Sequence, residues 1–192
     1  YKPRTRPHPL QIDRAIKLLV KAQKPVILAG GGVITSNGSN ELLKTAETLL
    51  APVATSFMGK GCFPENHPLA LGSIGMHGNP VANKLLCEAD VVLAVGTRFS
   101  DRATGTLDTF CANAKIIHID IDAAEIGKVK QVTWSFVGHI NTALKDLINH
   151  GKSFSRDFSK WVKYINKLKK DHALNYDKKS KLIQPYYVIE CL

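Results

Sequence analysis

The sequence predicts a doubly wound, parallel α/β sheet, and three observations lead there. Short apolar runs recur at 26–29, 53–55, 90–95, 115–121 and 132–137. Between them, apolar residues repeat at helical spacing. The first run leads straight into Gly30-Gly31-Gly32, a glycine-rich turn of the kind found at the ligand edge of such sheets. At least five strands alternating with helices give the doubly wound arrangement.

Taken in order, residues 1–10 (YKPRTRPHPL) carry Pro3, Pro7 and Pro9 and no initiator Met, and read as a linker from a preceding domain. Ile12, Ala15, Ile16, Leu19 and Val20 then repeat at helical spacing. Lys24-Pro25 ends that helix, because a residue before proline avoids the helical region. The first strand and the glycine turn follow. A second helix is expected from about Asn40, with Leu42, Leu43, Ala46, Leu49 and Leu50 on one face. Pro52 punctuates it, and 53–55 is the second strand. Residues 56–78 are rich in Gly and Pro and read as mostly loop, long enough to suggest function or a covering partner. Residues 79–88 form a short helix with Pro80 in its first turn. The next strand is continuously apolar, as suits burial on both faces. Gly96, Thr97, Arg98, Asp101 and Arg102 follow its end, where open parallel sheets bind ligands. The 115–121 strand ends in Asp120-Ile121-Asp122, and the last strand leads to a helix marked by Ile140, Ala143, Leu144, Leu147 and Ile148.

Gly151 closes the domain, which spans 11–151. Residues 152–183 are a basic amphipathic helix and linker, and 184–192 (QPYYVIECL) read as the start of a following domain. Of the chain's net charge of +10, residues 152–181 contribute +7, from ten Lys or Arg against three Asp. The charge therefore belongs to one segment. A nucleic-acid reading of that helix is weakened by Phe158, Trp161, Ile165 and Leu168, which share its apolar face and are expected to be buried, packed toward the next domain.

Composition narrows the class further. With 44% hydrophobic and 22% charged residues the chain can build a core. No apolar stretch reaches the roughly 18 residues of a membrane helix, and no signal peptide is evident, so no membrane partner is expected. Cys62, Cys87, Cys111 and Cys191 form no CxxC pair. A disulfide framework or zinc site is not expected, and a cytoplasmic location is.

Several residue groups could carry chemistry. Glycines at 30–32 let backbone N–H groups approach a phosphate, or simply let helix pack on strand. The dinucleotide fingerprint is incomplete, because position 35 is Thr and no acid ends the second strand. Asp120 or Asp122 could accept ribose hydroxyls, although Asp122 could equally cap a following AAEIGK helix. Arg98 and Arg102 suit a carboxylate or phosphate, or a local pair with Asp101. His77 has no paired nucleophile, and there is no GxxxxGK[ST] run or metal-ligand cluster. The chain reads as a cofactor-binding module without acid–base machinery of its own.

Four segments also carry a family resemblance: KPVILAGGGV, PVATSFMGKGCFPENHPLALGSIGMHG, ADVVLAVGTRFSDRATG and AKIIHIDIDAAEIGK. Together they resemble the central domain of acetohydroxyacid synthase (acetolactate synthase) catalytic subunits, which are thiamine-diphosphate enzymes. KPRTRPHPLQI and QPYYVIECL resemble that family's linkers into and out of the domain. The combination of GMHG, GxRFxDRxTG and IHIDIDxAEIGK is what makes the likeness specific; it covers essentially all of residues 1–150 and touches the tail.

The resemblance implies a six-stranded Rossmann-like domain that binds FAD, with the flavin not needed as a net redox carrier. It implies a parent that condenses two 2-keto acids with loss of carbon dioxide, in branched-chain amino-acid synthesis. Carried over by position, FAD contacts are Gly30, Gly31, Thr55, Ser56, Phe57, Met76, His77, Gly78, Gly96, Arg98, Asp101, Arg102, Asp120, Ile121 and Gly138. Met76, Asp101 and Arg102 also resemble residues at the substrate entrance. The chain departs from the family at Ser100 and at His139, where an Asp is usual. The activating Glu and the GDG…N metal motif for thiamine diphosphate and Mg2+ are absent, so this chain alone is not expected to make acetolactate. Implied partners are the other domains of the subunit, a homodimer or homotetramer, and a possible regulatory subunit, with no nucleic acid. Two alternatives stand beside this reading. One is a flavin-free structural or ADP-binding central domain of a related decarboxylase or carboligase. The other is a nucleic-acid-binding module.

Overall fold

Six strands form one sheet: β1 (Pro25–Ala29), β2 (Val53–Thr55), β3 (Ala70–Ser73), β4 (Val91–Val95), β5 (Lys115–Asp120) and β6 (Trp134–Val137). The order is β3-β2-β1-β4-β5-β6, and every pairing is parallel. The computed structural model describes residues 6–151, 157–173, 176–177 and 179–192. The expected linker at 1–5 and residues 152–156, 174, 175 and 178 of the expected basic segment lie outside the described residues.

The apolar runs become strands because both their faces are covered. On one side Ile27, Ala29, Leu93, Val95, Ile117 and Ile119 meet helices α1 (Pro9–Lys21), α3 (Ser39–Leu49) and α6 (Ile140–Gly151). On the other, Val26, Leu28, Val92, Ala94 and Ile116 meet α4 (Pro80–Glu88) and α7 (Ser159–Asp171). Strands β1 and β4 are buried at every position, as the unbroken apolar runs require. Helices short enough to escape the periodicity complete the fold: α2 (Gly31–Thr35), α5 (Asp101–Thr104) and α8 (Pro185–Cys191).

The structure corrects the sequence reading in several places. Residues 56–78 are mostly loop, as expected, but they also hold the short strand β3, which the sequence reading did not place. Only Leu71 of its four residues is buried, and Gly72 sits at φ 85 beside a register shift against β2. A bulged, glycine-containing edge strand leaves no period-two signal. Helix α1 begins at Pro9, capped by the His8 ring, so residues 9 and 10 are helical. No AAEIGK helix forms. Residues after β5 make turns, with the Ala124 amide donating to Asp122 Oδ1 at 2.9 Å.

The largest correction concerns α7. Phe158, Trp161, Ile165 and Leu168 are buried as expected, but Trp161, Ile165 and Leu168 join the core under β1 and β4. They do not face a following domain. Trp161 Nε1 donates to the Pro25 carbonyl at 3.1 Å, and Tyr164 donates to Glu88 on α4 at 3.1 Å.

Where α1 hands over to β1, Asp90 ties the chain. Its carboxylate accepts the Gln23 amide at 2.5 Å and the Lys24 amide at 2.8 Å. Hydrogen bonds to a charged group contribute about 1.5–3 kcal/mol. Asp90→Ala is therefore expected to lower the melting temperature by about 3–12 °C in a circular-dichroism melt. An unchanged melt would mean that water replaces the carboxylate at no cost.

Candidate functional site

The carboxyl ends of β1 and β4 lie side by side, with Ala29 opposite Val95, and their connections leave in opposite directions. This is the switch point of the sheet, where open α/β folds hold ligands. A cleft of about 570 Å³ opens there, lined by Gly31, Gly32, Ser56, Met58, Gly96, Thr97, Arg98, Ser100, Asp120, Asp122 and Glu125, with Ile34 and Thr35 of α2.

The three glycines of the first turn do different work. Gly30 donates to Val95 O at 2.8 Å and Gly32 to Gly96 O at 3.0 Å. A Cβ on Gly30 would sit 2.1 Å from Gly96 O, and one on Gly32 would sit 2.8 Å from Gly96 Cα. Those two glycines serve the close approach of β1 and β4. Gly31 and Gly32 both line the cleft, and at Gly31 a Cβ would meet Met58 at 3.2 Å. Gly96 itself turns at φ 57.

At the end of β2, the Thr55 hydroxyl is buried and has no hydrogen-bond partner. Ser56 Oγ accepts the Gly59 amide at 3.2 Å and fixes a single 3-10 turn. That turn leaves Phe57 81% and Met58 69% exposed beside the cleft.

Beyond β4 and β5 the cleft becomes polar. Arg98 is exposed on its rim. Asp120 is buried in its wall, with Oδ1 accepting the Asp122 amide at 3.0 Å. The neighbouring acids Asp122 and Glu125 make this wall suited to hydroxyl donors, and Arg98 suited to an anion. Next to Asp120, His118 is fully buried. Its Nε2 lies 2.9 Å from the Thr97 carbonyl and 3.8 Å from Asp120 Oδ2. A carbonyl can only accept, so Nε2 carries the proton and donates to Thr97. Burial holds the His118 pKa below its ordinary value, partly opposed by the Asp120 carboxylate.

The residues expected at the substrate entrance gather elsewhere. Met76, Asp101 and Arg102 line a second cavity of about 330 Å³, with Gly75, Asn83 and Cys87. Two bonds clamp its wall: the Gly75 amide donates to Asn83 Oδ1 at 3.0 Å, and Asn83 Nδ2 donates to Gly75 O at 2.9 Å. Gly75, at φ 110, presses so close to Arg102 O that a Cβ would lie 2.3 Å from it. Gly78 closes the same turn, donating to Gly75 O at 3.0 Å. Of the two arginines, it is Arg102 that pairs with Asp101, at 4.0 Å with both side chains exposed. An exposed pair of this kind contributes little.

The expected residues thus divide three ways. Gly31, Ser56, Gly96, Arg98 and Asp120 line the main cleft, and Met76, Asp101 and Arg102 line the second cavity. Gly30, Thr55, Phe57, His77, Gly78, Ile121 and Gly138 line neither. Gly138 is buried and donates to Asp120 O at 2.9 Å, so it anchors the acid from behind. Thr97, expected at this strand end, lines the cleft too, and Met58 and Glu125 line it without having been singled out. Both lie inside the motif segments. Among the described residues no group of three or more His, Cys, Asp or Glu could hold a metal ion, and no helix is long and apolar enough to cross a membrane.

Comparison with known proteins gives this geometry a context. The family model described as thiamine pyrophosphate enzyme, central domain, matches residues 12–147. The whole chain is 49% identical to a probable acetolactate synthase large subunit of Methanocaldococcus jannaschii and covers 33% of it. It is 44% identical, again over its whole length, to the acetolactate synthase large subunit of Corynebacterium glutamicum, covering 31% of that protein. Over 98% of its length it is 39% identical to the large subunit of Cyanidium caldarium, covering 33%. The chain spans about a third of the length of these curated relatives.

Proposed function

The chain belongs to the thiamine pyrophosphate enzyme family as its central domain, and from that premise we propose that it is the FAD-binding central domain of an acetolactate synthase large subunit. The observation that carries the proposal is the cleft at the switch point. Its about 570 Å³ lies in the range of cofactor sites. One face is open because Gly31 has no side chain, and the acids and Arg98 line the other end.

The residues present fit such a group. At Gly31 the bare backbone lines the cleft where a Cβ would meet Met58 at 3.2 Å, which leaves room for a phosphate to approach. Gly31 and Arg98 would hold the pyrophosphate, Asp120 would accept ribose hydroxyls, and the exposed Phe57 and Met58 would meet the ring system. FAD bound here would supply no net redox step. Its place in the fold is that of a bound structural group.

In the same reading the condensation of two 2-keto acids belongs to the whole subunit, whose other domains hold thiamine diphosphate and Mg2+. This chain alone makes no acetolactate. Residues 1–10 and 184–192 are its links to neighbouring domains, and the exposed Tyr186, Tyr187, Val188 and Ile189 of α8 are consistent with an uncovered contact. Homo-oligomerisation, a regulatory subunit and a cytoplasmic location complete the proposal.

Titrating the purified chain with FAD, followed by flavin fluorescence, tests it. Binding is expected, competed by ADP and weakened about tenfold or more in Arg98→Ala. ADP binding with no gain from the flavin would favour the flavin-free alternative. Absence of FAD from both this chain and the full-length subunit would overturn the flavin reading.

A further inference from the structure

We infer that His118 is a positioning residue for the cleft: by donating Nε2–H to the Thr97 carbonyl it sets the course of the 96–102 loop, and with it the place of Arg98. The inference rests on the dinucleotide reading of the cleft.

The loop needs such a post because its backbone is unusual. Gly96 and Phe99 both have positive φ, 57 and 52 degrees, and Arg98 lies between them. A left-handed phenylalanine persists only where its surroundings hold it. Phe99 is 2% exposed, and its ring meets the His118 ring edge-on, with centroids 5.2 Å apart. The loop is tied at its start by the Gly96 amide on Ile119 O at 2.8 Å, and at its end by the Ala103 amide on Ser100 O at 2.9 Å. At Thr97, the residue before Arg98, the tie is His118 at 2.9 Å. One side chain therefore holds both neighbours of Arg98, by a hydrogen bond on one side and a ring contact on the other.

The same ring stands apart from the acid it adjoins. At 3.8 Å, Asp120 Oδ2 is beyond hydrogen-bond distance, so the carboxylate is not consumed by the histidine. The charges acting on the ring are Asp120 on its own strand and Glu125 in the following turn. The flanking strands present Ala94 and Ser135, and the loop presents Phe99. His118 Nδ1 is buried with no partner, so a second proton there meets no acceptor. Burial opposes that proton in the closed loop, whereas an opened or unfolded chain takes it up near the ordinary value of 6.5. Loop closure is thus fully supported above about pH 6.5 and is lost as pH falls below it.

FAD titrations of the chain with two replacements test the inference. His118→Gln keeps an N–H at the reach of Nε2, and His118→Phe keeps the ring but not the donor. The Phe variant is expected to bind FAD about tenfold more weakly, and the Gln variant within about threefold of the parent. In an Arg98→Ala background the Phe replacement is expected to add little, because its effect passes through Arg98. Without any ligand, trypsin cleavage after Arg98 is expected to quicken in the Phe variant alone. Should the Phe variant fail to fold, the Gln variant carries the test: the parent loses FAD affinity below pH 6.5 more steeply than His118→Gln. Equal affinities for parent and Phe variant, additive effects with Arg98→Ala, or matching pH profiles for parent and Gln variant would overturn the role of His118 while leaving the FAD reading intact. If the parent chain binds no FAD, the same titrations on the full-length subunit decide, and absence of FAD there too would overturn the reading itself, and the inference with it.

Discussion

Gly30→Ala is expected to leave little or no folded chain, with a loss above about 4 kcal/mol. The reason is space and not backbone conformation, since the φ of Gly30 is −108 and open to any residue. The added Cβ would lie 2.1 Å from Gly96 O, 2.7 Å from Gly96 C and 2.7 Å from Thr97 Cα. All three are backbone atoms just past the end of β4, where it is bonded to the β1 turn, so none can yield without parting β1 from β4. Soluble yield and thermal melting check the prediction. Gly31→Ala is the control: its Cβ meets Met58 at 3.2 Å, on the cleft side. That variant is expected to fold near normally and to bind FAD more weakly. Gly105→Ala is a second control, with nothing within 4 Å but φ 60, and is expected to cost only about 1 kcal/mol. If Gly30→Ala melts like these controls, the turn is not the tight junction described and the cleft has a softer floor.

The same junction shows what the sequence could and could not reveal. Five strands were legible as apolar runs, which need no tertiary information to be read: β1, β2 and β4 are buried at every position, β5 at all but its first, and β6 only at Phe136. Strand β3 was not legible, because a single buried leucine beside a left-handed glycine carries no period. The glycine triplet was legible as a site, but the division of labour within it was not. Gly30 and Gly32 owe their identity to Gly96, which arrives from a strand more than sixty residues later in the chain. Arg98, Arg102 and the Asp120 carboxylate were visible as chemistry, yet only the fold sorts Arg98 into the cleft and Arg102 into the second cavity. His118 stood in plain view as a polar ring in a strand buried at five of its six positions. What it lacked in sequence was its partner, a backbone carbonyl twenty-one residues away.

Trp161→Ala is expected to cost about 3–5 kcal/mol and to lower the melting temperature by more than about 6 °C. The side chain is 5% exposed, stacks on Tyr164 at 5.7 Å and lies beneath the Lys24 ammonium, 5.7 Å from its ring. Its N–H satisfies the Pro25 carbonyl at the very start of β1. Trp161→Phe keeps most of the packing and is expected to cost about 1–3 kcal/mol, from the unpaired carbonyl alone. Reversing Lys163 and Lys167, both exposed on the opposite face, is expected to change stability by less than about 0.5 kcal/mol each. This pattern separates two accounts of the basic helix. If the helix is part of this fold, the tryptophan variants destabilise the whole domain and its lysines serve as a solvated face. If it were a separate nucleic-acid module, the lysine reversals would abolish binding with a steep salt dependence, and Trp161→Ala would leave the melt of the sheet unchanged. The buried indole, bonded across 136 residues of chain to the first strand, weighs for the first account.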